Sequence, residues 1–164
     1  MVSLWKKIAA TMTTAALLSV GAQQCLAQDH GHAHEADGPA RLSLNKGQKW
    51  ATDANLRQGM SRIREAMAAD LAAIHGGKAT VKQYRALAQK INGQIAFMVQ
   101  ACKLEPEADA MLHLLLADII AGADAMGDKG VGEARKGAEK IAHALDDYGV
   151  YFSHPGWHGL TQSH

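Results

Sequence analysis

Residues 56–83 read LRQGMSRIREAMAADLAAIHGGKATVKQ, and this stretch decides the fold. Leu56, Met60, Ile63, Met67, Leu71 and Ile74 recur at spacings of 4, 3, 4, 4 and 3, the repeat that gathers apolar side chains into one stripe along a helix. Gly76-Gly77 stops that helix, because glycine adopts the left-handed turn that ends helices at no steric cost. Thr80 with Gln83 three residues on forms a capping box, in which each side chain satisfies an amide N–H that the start of a helix leaves unpaired. The stretch therefore predicts two amphipathic helices in succession.

Working outward, Val81, Tyr84, Ala88, Ile91, Ile95, Met98 and Cys102 mark one face of the second helix, which ends near Lys103. Pro106 suits a first helical position, and Glu105, Glu107 and Asp109 suit the positive end of a helix dipole. Leu112, Leu115, Leu116, Ile119, Ile120 and Met126 then carry a third helix to Gly127. After Asp128-Lys129-Gly130, a fourth stripe runs through Ala134, Ala138, Ile141, Leu145, Tyr148 and Phe152, weakened early by Gly132 and Gly137 and finished by His154-Pro155. Short connections set successive helices antiparallel, so the expected fold is all-α, an up-down-up-down four-helix bundle over residues 52–153. Small residues such as Ala134 and Ala138 let the fourth helix approach closely, and a filled core is expected.

The remaining composition narrows the function. The chain has 164 residues, a length for one domain, and 17 Lys and Arg against 16 Asp and Glu. No basic field exists to hold nucleic acid. No C-x-x-C-H, phosphate-binding glycine loop, H-E-x-x-H or G-x-S-x-G occurs, so nothing nominates covalent haem, a nucleotide, a zinc protease or a nucleophile. The expectation is a protein that is not an enzyme.

The first 27 residues read as a cleaved export signal. Lys6 and Lys7 form a positive start, Ile8 to Val20 a short apolar run, and Cys25-Leu26-Ala27 the approach to cleavage, with Ala22 as the competing site. Gln23 and Gln24 stand where a lipoprotein signal needs small residues, which argues against lipid attachment at Cys25. The mature chain would be periplasmic and free of the membrane, 137 residues long (164 minus 27), with 15 basic against 16 acidic side chains. Cys102 would then have no partner for an internal disulfide. Residues 28–51 read as a flexible His-rich tail and lead-in, and 154–164 as a His-containing C-terminal tail.

Four stretches resemble a known family: Leu44-Asn45-Lys46-Gly47-Gln48-Lys49-Trp50, Leu56-Arg57-Gln58-Gly59-Met60, Cys102-Lys103-Leu104-Glu105-Pro106-Glu107-Ala108-Asp109-Ala110, and Tyr151-Phe152-Ser153-His154-Pro155-Gly156-Trp157. They look like DnrO-type proteins, and the resemblance covers about residues 42 to 159. It implies a small exported helical protein linked with denitrification and the response to nitrogen oxides, without a settled activity. The architecture also resembles the bundles of cytochrome b562 and cytochrome c′, which is likeness of fold alone.

The His-rich ends carry the most specific chemistry. Cleavage after Ala27 exposes Gln28-Asp29-His30, whose amine, two amides and imidazole can wrap a square-planar Cu(II) or Ni(II), unless Gln28 cyclises. His32 and His34 add imidazoles on the same side of an extended chain, and His154 and His158 emerge where helix one begins. Both ends could serve one ion, copper first, with nickel or zinc as alternatives. A lesser cluster is Met60, Met98, Cys102 and His113, brought to one end by the topology. Thioether and thiolate suit Cu(I), but Met and Cys are also ordinary core fillers, and Asp109 can simply hold His113 four residues on. Haem held by Met60 and His143 is the arrangement that cytochrome b562 suggests, but His143 falls in the polar phase of its helix, which argues against it. His75 reads as a dipole-favoured helix end. Trp50, Tyr148, Tyr151, Phe152 and Trp157 gather at the same end, as a lid over the bundle or as a patch for a protein partner. A monomer or homodimer is expected.

Overall fold

The computed structural model describes residues 40–160. Four helices follow in order: α1 (Ala54–His75), α2 (Val81–Ala101), α3 (Pro106–Asp128) and α4 (Val131–Tyr151). Their limits follow from local chemistry. The Asp53 carboxylate accepts the Leu56 amide at 2.7 Å and starts α1. Gly77, at φ 64°, turns the chain out of it. Thr80 and Gln83 form both bonds of the capping box and start α2. Pro106 opens α3, where its missing N–H leaves no bond unmade.

α1 packs on α2 and α4, and α3 on α2 and α4, in the antiparallel order expected. The bundle is sheared in cross-section: α2 touches α4 across one diagonal, while α1 and α3 stay apart. α3 is the one described helix long and apolar enough to cross a bilayer. Here it buries Leu112, Leu115, Leu116, Ile119 and Met126 in the bundle. Among the described residues no charged side chain is buried; apart from the hydroxyls of Tyr84 and Tyr148, the buried side chains are apolar.

The α3–α4 interface closes backbone to backbone. A methyl group added at Gly137 would lie 2.5 Å from the Gly122 carbonyl oxygen, and one added at Gly122 would lie 2.6 Å from that of Gly137. Gly137, expected only to weaken α4, is what allows this approach. Gly59 does similar work for the α1–α2 contact, where the Met98 side chain occupies the space of the absent methyl.

The lead-in and the start of the C-terminal tail both pack. Trp50 donates its amide to Tyr151 O and accepts that of Ser153, each at 2.8 Å, so residues 50 and 152 pair as a single parallel bridge. Beyond α4 the chain turns at Gly156 (φ 75°) and folds back along the helix. Trp157 donates to Leu145 O at 3.2 Å and lies on Gly149, and Leu160 is buried with its amide on the Asp146 carboxylate. The aromatic group forms a lid: Tyr148 and Phe152 are buried, and Trp50, Tyr151 and Trp157 are half-buried. Residues 1–39, with the expected export signal and the His30, His32 and His34 tail, lie outside the described residues.

Candidate metal centre

The returning C-terminal segment creates a cleft against α1. Ser61, Arg64 and Glu65 form one wall and His154, Gly156, Trp157 and His158 the other, around about 130 Å³. The spacing in α1 explains one wall: residues 61, 64 and 65 lie three and four apart, on one helix face. The other wall is set by the bridge at Trp50, by Thr52 Oγ1 donating to Ser153 O, and by the Trp157 amide donating to His154 O at 3.1 Å. His154 and His158, paired in the sequence reading, thus share one cleft.

The two imidazoles differ in freedom. His154 is half-buried, with Nδ1 3.1 Å from the Tyr148 hydroxyl and its ring 5.0 Å from that of Trp157. Burial, and then the positive charge of Arg57, push its pKa below the ordinary histidine value, so the ring is neutral at pH 7. A neutral imidazole is the form that binds a metal ion. His158 is exposed, and its carbonyl accepts from Arg64 Nε. Glu65 stands exposed on the α1 wall, 3.7 Å from Arg62 in a weak surface pair.

A second cleft of about 110 Å³ continues along the seam between α1 and α4. Its apolar walls are Met67, Leu71, Ile74, Ala138 and Ala142, flanked by His75, His143 and Glu139. Four of the five histidines in the described residues, His75, His143, His154 and His158, therefore lie along one seam. Sequence reasoning read His75 as a helix end and weighed His143 only as a haem ligand, so neither was expected beside this cleft. The one signal for them was Glu139 four residues before His143, a spacing that sets both on one face of α4. Among the described residues, no three side chains of His, Cys, Asp or Glu converge closely enough to hold a metal ion by themselves.

The sulfur cluster assembles in part. Met98, Cys102 and His113 line a cleft of about 60 Å³ with Asp109, Leu112 and Leu116. Met60 is fully buried and lines none of these clefts. The Cys102 thiol donates to Asp53, and its pKa is pushed up to about 11 by burial first and by the charges of Asp53 and Asp109 next. It is a thiol at neutral pH, whereas a cysteine ligand must give up its proton. His113 Nδ1 donates to the Asp109 carbonyl at 2.9 Å and sits 3.3 Å from the Asp109 carboxylate, the local hold that the i,i+4 spacing suggested. Met60 and His143, the pair considered for haem, line no common cleft described here.

Sequence reasoning missed Asp53 altogether. Its two carboxylate oxygens accept from the amides of Leu56 and Lys103, both at 2.7 Å, which ties the start of α1 to the end of α2. His30, His32 and His34 lie outside the described residues. Comparison of the chain with protein-family models, with curated proteins and with solved structures finds no match.

Proposed function

We propose that this protein is an exported, non-catalytic bundle that binds a transition metal, copper in the first place, and buffers or delivers it in the periplasm. The observation that supports this reading is the shared cleft of His154 and His158, in which one imidazole is already neutral and fixed by a buried partner. Two imidazoles make half of a ligand set for Cu(II), Ni(II) or Zn(II). His30, His32 and His34 are the further ligand candidates that the sequence offers. Nitrogen-rich sets favour copper over zinc. The DnrO-type resemblance adds a setting in nitrogen-oxide metabolism.

The test is calorimetric titration of the chain from residue 28 onward with Cu(II), Ni(II) and Zn(II) in turn. Replacing His154 and His158 together by alanine, or His30, His32 and His34 together, lowers the affinity for at least one of these ions about tenfold or more. Unchanged affinity for all three ions in both variants would overturn the proposal.

A further inference from the structure

Resting on that metal-binding reading, we infer that Tyr148 is the positioning residue of the centre: its hydroxyl holds Nδ1 of His154, so the ring coordinates through Nε2. Tyr148 is fully buried on α4, stacked on Phe152 with centroids 5.3 Å apart and met edge-on by Trp157 at 4.7 Å. Buried and packed against both rings, the phenol is held in place. Its hydroxyl lies 3.1 Å from His154 Nδ1, and the two rings stand perpendicular. The main chain on either side of His154 is fixed too, by the amide of Ser153 on Trp50 O and that of Trp157 on His154 O.

The chemistry follows from the ring itself. A neutral imidazole carries one N–H and one lone pair. With a metal ion on Nε2, Nδ1 must carry the proton, and it then donates to the Tyr148 oxygen. The hydroxyl can donate to or accept from Nδ1, so it leaves the choice of tautomer to the metal; what it fixes before the ion arrives is the direction of the ring. His158 has no such partner on its ring and supplies the adjustable arm of the cleft.

Zn(II) is the probe, because it is diamagnetic, and the test pairs its affinity with long-range 1H–15N spectra that report the protonation of each ring nitrogen. In the native chain with Zn(II), His154 shows a protonated Nδ1 and a metal-shifted Nε2. Tyr148→Phe keeps the packed ring, loses the hydrogen bond that holds Nδ1, and weakens Zn(II) binding about tenfold. His154→Ala weakens it at least as much. If His154→Ala leaves the affinity unchanged, the metal-binding reading itself fails at this cleft. If His154→Ala weakens binding while Tyr148→Phe changes neither the His154 ring signals nor the affinity, the positioning role alone fails. Should Tyr148→Phe unfold, the native spectrum decides, and coordination through Nδ1 overturns the inference.

Discussion

The two flanks of α4 are built in opposite ways. Against α3 the helix presents Gly137, and the backbones meet with no room for a methyl group. Against α1 it presents Ala138, Ala142 and the returning Trp157, and two clefts remain open along the seam. Close approach of backbones maximises dispersion and leaves nothing for a ligand to occupy. Larger side chains hold the second pair of helices further apart, and the space between them is where four histidines collect. One flank provides rigidity, and the other provides a place for chemistry.

The strongest way to break this contrast is to fill the closed flank. Gly137→Val places branched carbons into the Gly122 carbonyl and is expected to cost about 3 kcal/mol or more, read as a fall in the urea midpoint. A loss under about 1 kcal/mol would show that α3 and α4 can move apart freely. Stripping the open flank should cost less. Trp157→Ala removes a half-buried indole and is expected to cost about 2 kcal/mol in the same measurement, while widening the cleft around His154.

The flanks also differ in their response to acid. His154 is held below its ordinary pKa, so the unfolded chain takes up the proton first. Its contribution to stability is therefore complete above about pH 6.5 and is lost as pH falls through the folded-state value. His154→Gln should flatten the dependence of melting temperature on pH between about 7 and 5, and an unchanged slope would remove the buried ring as its cause. The smallest effect belongs to the rim of the closed flank. Lys140 pairs with Asp118 across α4 and α3, but both side chains are about half exposed, and Lys140→Ala should cost less than about 1 kcal/mol.

How far each feature was legible depends on the range of the interaction behind it. The four helices were readable because apolar period, the Thr80–Gln83 box, Pro106 and Gly76-Gly77 all act within a few residues of themselves. Gly137 was misjudged because propensity treats glycine as a local weakness, and its value lies in a neighbour on α3. Asp53 escaped notice because the amide of Lys103 reaches it only after α1 and α2 have packed. Phase placed His143 toward water, as it is, without revealing which helix stands beside it. Residues 154–160 read as a tail because their anchors, Leu145 O and the Asp146 carboxylate, are supplied by another turn of the chain. The pairing of His154 with His158 was legible from topology, whereas the hold of Tyr148 on His154 was not.

The most direct measurement is paramagnetic mapping of the chain from residue 28 onward: substoichiometric Cu(II) is added and amide line broadening is recorded residue by residue. Broadening centred on His154, His158 and Glu65 is the expected result. Broadening confined to residues 28–34, with the α1–α4 seam untouched, would contradict a metal centre built on the bundle.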